Sequence, residues 1–76
     1  MRLKTISSKY KTLCVMQYFM NNTDRDHLVS STDVIAHLNN LGIRSERKAI
    51  YEDIKVLNRF GIKIVKSHNR FYYEKS

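Results

Sequence analysis

Apolar residues recur at helical spacing in three stretches of this chain and alternate in a fourth. In the first stretch, about 8–21, Leu13, Met16 and Met20 form one stripe. Tyr10, Cys14, Val15, Tyr18 and Phe19 extend the apolar character around much of the circumference. Such a helix is either nearly enclosed by its neighbours or offers a second face for docking or dimerisation. Ser7 or Ser8 is placed to cap it. The polar run "NNTDRD" (21–26) ends it, because short polar side chains compete for backbone hydrogen bonds.

"HLVS" (27–30) reads as a short extended piece. Ser30 stands three residues before Asp33, the spacing of a capping box. The helix this predicts, 31–41, carries Val34, Leu38 and Leu41 at i, i+4, i+7 with Ile35 beside them. Gly42 closes it in the left-handed conformation. In the connector "GIRS" (42–45), Ile43 is the one apolar residue and belongs between the flanking helices. Ser45 then reads as the cap of a third helix, 46–60, with Ile50, Ile54 and Leu57 on its buried side and Gly61 at its end. Two helices joined by so short a link share a core and cross steeply, which is the helix-turn-helix pattern.

The fourth stretch reads as a hairpin. "IKIVK" (62–66) puts Ile62, Ile64 and Lys66 on one side and Lys63 and Val65 on the other. "RFYYE" (70–74) is aromatic and strand-favouring. In the turn "SHN", Asn69 is the residue expected to take positive φ. A lone hairpin is not stable in water, so this one must pack on the helices. The expected fold is a single domain over 1–76, mainly α with a small β-hairpin: a three-helix winged helix-turn-helix.

Charge sharpens this picture. The net charge is +7, and residues 42–76 hold nine Lys/Arg against four Asp/Glu, so most of the excess lies in the C-terminal half. That asymmetry points to a polyanionic partner, nucleic acid or an acidic membrane surface, or else to a plain solvated basic surface. No apolar run approaches the roughly 20 residues of a membrane span, and "MRLKTISSKYKT" has no signal-peptide core. Cys14 is the single cysteine, which excludes an intramolecular disulfide and suits a reducing, cytoplasmic location.

Candidate chemistry concentrates on the third helix. Opposite its buried side lie Arg47, Tyr51 and Lys55 at successive i+4 steps, flanked by Lys48, Glu52 and Arg59. Arg presents a planar fork to phosphate or guanine, Lys a point charge, and Tyr a stacking or hydrogen-bonding group. The bland alternative is a solvated face with Lys48 and Glu52 forming an ordinary i,i+4 pair. Two cations in a first turn are electrically unfavourable there, since that end of a helix favours anions. Phosphates would supply the missing negative charge. Asp53 borders the buried side and requires a hydrogen-bonding or basic partner. Wing residues Lys66, His68, Asn69 and Arg70 are candidates for contact with the nucleic-acid backbone. His27, His37 and His68 share no ligand spacing and read as surface histidines. With no phosphate loop and no nucleophile–base pair, the sequence gives no enzyme signature, and no cofactor is expected.

Assembled, "SSTDVIAHLNNLGIRSERKAIYEDIKVLNRFGIKI" resembles the N-terminal winged helix-turn-helix domain of WYL-domain transcriptional regulators, and more loosely DeoR-type regulators. Such domains carry a pattern like R-R-T-I-Y-R-D-I, a spaced leucine, and a glycine opening the wing. The matching residues here are "RKAIYEDI", Leu57 and Gly61, followed by "FYY". The resemblance implies a sequence-specific double-stranded-DNA-binding domain with the helix in the major groove. Ser45, Arg47, Lys48 and Tyr51 would then face DNA, and Asp53 would be a structural acid. Arg44, Lys55, Lys66, Asn69 and Arg70 complete the expected DNA-binding set. A homodimer on a two-fold operator is the expected assembly, and a C-terminal sensor domain would be a further partner. Ala49 and Glu52 depart from the pattern, standing where a threonine and a basic residue are usual. The competing class is a winged helix that docks another protein through its apolar first helix.

Overall fold

Three helices and one antiparallel hairpin follow one another in the computed structural model, which describes residues 8–75: α1 (Ser8–Asn22), α2 (Ser31–Asn40), α3 (Arg47–Arg59), β1 (Ile64–Ser67) and β2 (Arg70–Tyr73). This is the helix-turn-helix plus wing expected from the pattern. A cap by Ser7 lies outside the described residues.

Both glycines terminate helices in the same way. Gly42 has φ of 81° and Gly61 of 95°. The N–H of Ile43 donates to the carbonyl of Leu38 at 2.8 Å, and that of Gly42 to Asn39 at 2.9 Å. The end of α3 repeats this, with Ile62 bonded to Leu57 at 2.9 Å and Gly61 to Asn58 at 3.1 Å. These paired bonds are Schellman motifs, and the apolar residue after each glycine folds back on its helix. Ile43 is accordingly buried at 3% exposure.

The core joins Val15 and Phe19 of α1, Val34 and Leu38 of α2, Ile43 of the connector, Ile50, Ile54 and Leu57 of α3, and Ile64 and Phe71 of the wing. On α1 the buried line differs from the expected stripe. Val15 and Phe19 are fully enclosed, while Leu13 and Met20 are exposed. Apolar residues surround so much of this helix that spacing could not select a side. The positions of α2, α3 and β2 select it.

Register pairs Ile64 with Tyr73, Val65 with Tyr72, Lys66 with Phe71 and Ser67 with Arg70. The strand begins at Ile64 rather than 62, because Ile62 is used in closing α3. Positive φ falls on His68 (59°), the first loop residue, and not on Asn69. Histidine is among the few side chains that enter this region readily. Val29 exchanges two backbone bonds with Phe71, at 2.9 and 2.7 Å, so the extended "HLVS" segment bridges to the other edge of β2. Thr23 anchors the same edge. Its hydroxyl donates to Phe19 O at 2.7 Å and accepts from Tyr73 N at 2.9 Å. The wing is thereby tied to the rest of the fold at three places, the third being Asn58 Oδ1 of α3, which accepts from Ile64 N at 2.8 Å.

Candidate nucleic-acid interface

The orientation of α3 is set from its buried side. Ile50, Ile54 and Leu57 enter the core, and Asp53 goes in with them at 6% exposure. The carboxylate of Asp53 accepts from the ammonium of Lys11 and from the hydroxyl of Thr12, the latter at 2.8 Å. Both partners are on α1, 42 and 41 residues away in sequence. The pair is almost fully enclosed, so removing either member strands a charge in low dielectric. Asp53 therefore fixes α3 against α1, meeting the requirement for a basic partner.

With that side fixed, Arg47, Lys48, Tyr51, Glu52, Lys55 and Arg59 are exposed. Lys48, Tyr51, Glu52 and Lys55 border a groove of about 440 Å³ between α3 and the wing, together with Lys66 and Phe71. Cross-strand pairing accounts for the wing's share: Lys66 and Phe71 are directly opposed, so they lie on one face of the hairpin. The Phe71 ring packs 5.9 Å from that of Tyr51, centroid to centroid. The sequence signalled Phe71 only as one aromatic in a run of three. Its role depends on the hairpin register.

The remaining candidates are placed elsewhere. Asn69 and Arg70 line a separate concavity at the wing tip with His68, Asp26 and His27. That region holds acids as well as cations. Asp24 lies 2.8 Å from His27 Nδ1 and accepts from Asp26 N at 2.8 Å. The hydrogen bond to His27, then that to Asp26 N, holds Asp24 below the usual carboxylate range, and the same contact raises His27 above the usual imidazole value. Arg44 and Arg47 are exposed and line neither concavity. Ser45 is not the helix cap. Glu46 holds that position, and the buried Ser45 Oγ has no hydrogen-bond partner among the described residues. His37 is half-buried and stacks 4.4 Å from Tyr18, so it is not a free surface histidine.

Among the described residues, ion pairs join Lys11 to Asp53, Arg25 to Glu74, and His27 to Asp24. Arg44, Arg47, Lys48, Lys55, Lys66 and Arg70 take part in none of them. The Lys48–Glu52 pair that a plain solvated face would carry is absent from this set. No group of His, Cys, Asp and Glu suited to a metal ion occurs among the described residues. No described helix is long and apolar enough to cross a membrane.

These features define a winged helix-turn-helix domain whose third helix and wing share a cation-lined groove. No family model, curated protein or solved structure matches the chain.

Proposed function

We propose that this chain is a sequence-specific double-stranded-DNA-binding domain of a transcriptional regulator, of the kind found at the N-terminus of WYL-domain proteins. In this reading α3 enters the major groove and the wing contacts the backbone. One observation carries it. Lys48, Tyr51 and Lys55 of α3 border the same groove as Lys66 of the wing, and none of these cations has an acidic partner among the described residues. Cations without acidic partners along one groove, the first of them in the uncapped first turn of α3, form a surface complementary to phosphate. Arg47, Lys48 and Tyr51 would supply the base and phosphate contacts nearest the helix start, and two copies would read a two-fold operator.

The test is retardation of a duplex selected from random sequence. Arg47→Ala should abolish specific retardation while leaving the thermal melt unchanged, since Arg47 is exposed and makes no contact that holds the fold. Tyr51→Phe is the matching variant at the aromatic position, because it keeps the packing on Phe71 and removes only the hydroxyl. Normal binding by both would overturn the assignment of α3 as the recognition helix. Lys55→Ala and Lys66→Ala should weaken binding to all sequences and flatten its salt dependence.

A second reading, a module that docks another protein through its first helix, is favoured by one observation. Leu13 and Met16 of α1 border an apolar groove with Val56 and Phe60, and Phe60 is 84% exposed. Random-sequence DNA separates the two readings: a docking module should show little uptake even at low salt.

A further inference from the structure

We propose that Glu52 is a specificity-determining residue that selects cytosine in the major groove. The inference rests on the DNA-binding reading above and explains the residue that fits it worst. Glu52 sits on the exposed side of α3 with Lys48 one turn before it and Lys55 one turn after. Either lysine is within reach of an i,i+4 or i,i+3 pair. Neither forms an ion pair with it in this structure, and the Glu52 side chain has no hydrogen-bond partner among the described residues. Glu52 instead borders the groove between helix and wing, alongside Lys48, Tyr51, Lys55 and Lys66.

A carboxylate in that place is repelled by phosphates and lowers affinity for any duplex. It offers only acceptor atoms, so it can bond only to hydrogen-bond donors. Every phosphate oxygen is excluded on that ground, as are guanine N7 and O6 and thymine O4. Two donors remain in the major groove, the amino groups of cytosine and adenine. On adenine the amino group stands beside N7, an acceptor that repels a second carboxylate oxygen. On cytosine it stands beside an apolar C5–H. The chemistry therefore favours cytosine. Lys48 and Lys55, left uncommitted by Glu52, remain available to guanine or to the flanking phosphates. A residue that costs general affinity while engaging one base raises the ratio of specific to non-specific binding.

The experiment is a parallel binding-site selection on random duplex DNA with the wild-type chain, Glu52→Ala, Glu52→Gln and, as a charge control outside the groove, Glu74→Gln. Thermal melts run alongside establish that each variant is folded. The wild type should prefer cytosine about tenfold at one position. Glu52→Ala should lose the preference at that position alone and bind random DNA more tightly at low salt. Glu52→Gln should move the preference to adenine, whose N6 and N7 suit an amide. Glu74→Gln should leave the selected sequence unchanged. An unchanged sequence for folded Glu52→Ala would overturn the assignment of Glu52 while leaving the DNA-binding reading intact. Failure of the wild type to retain any duplex at low salt would overturn both, and is read from the wild type alone.

Discussion

The N-termini of α2 and α3 have nearly the same backbone and opposite chemistry. Ser30, before α2, has φ −94° and ψ 168°, and Glu46, before α3, has φ −116° and ψ 163°. At α2 the Ser30 hydroxyl accepts from Asp33 N at 3.2 Å and the Asp33 carboxylate accepts from Ser30 N at 3.0 Å, a complete capping box. At α3 no side chain caps the helix, no acid lies in the first turn, and Arg47 and Lys48 occupy it. Since the geometry at Glu46 already suits a cap, the bare end of α3 is a matter of side-chain choice. A helix can be left so only when its stability comes from tertiary packing rather than from its own ends. One helix end is closed by its own side chains, and the other leaves its first-turn N–H groups without a side-chain partner.

The largest test of that contrast removes what holds α3 in place. Asp53→Ala leaves the Lys11 ammonium enclosed without its partner and should cost about 3–5 kcal/mol. In a chain of 76 residues that approaches the lower end of total domain stability, about 5 kcal/mol. Urea denaturation checks it. Replacing both members with apolar residues, Lys11→Met with Asp53→Leu, should recover most of the loss, because the penalty lies in the stranded charge. If Asp53→Ala melts like the wild type, the α1 tether does not hold α3, and the explanation for its uncapped end is lost.

Ser30→Ala comes next. It removes the cap of α2 and should cost about 1 kcal/mol, read in the same denaturation experiment. The corresponding change at Glu46, also to Ala, has no side-chain cap to lose and should cost clearly less. Equal losses at the two positions would mean that their hydrogen bonding does not distinguish them.

Local patterns in the sequence specified the features that depend on few residues. The Ser30–Asp33 spacing, the two glycines and the burial of Ile43 are set within one or two turns of chain, and each is observed. The outward side of α3 was readable because Ile50, Ile54 and Leu57 fix the inward one. Asp53 was readable as a requirement, but Lys11 and Thr12 were not, since a partner 42 residues away leaves no local trace. The buried side of α1 was unreadable for a related reason: an almost wholly apolar surface carries no preference until neighbours cover part of it. In the wing, alternation puts Lys66 on the side of Ile64. The packing of Phe71 on Tyr51, and the separation of Asn69 and Arg70 from the α3 groove, follow from a strand register that alternation leaves open. Residue preference favours Ser45 as the cap, but backbone geometry places Glu46 at that position.

The smallest expected effect bears most directly on what the open end is for. Glu46→Asp keeps the charge and shortens the side chain by one methylene, to a length that reaches the N–H groups of the first turn. With the backbone already extended at this position, the variant should gain about 0.5–1 kcal/mol of stability. The same bond places a fixed carboxylate over the N–H groups that a DNA phosphate would use, so affinity for duplex should fall as stability rises. Thermal melts and retardation at one salt concentration read the two effects on the same sample. Stability and affinity rising together would show that the end of α3 is open without serving an anion. The row of cations would then have to act through side chains alone.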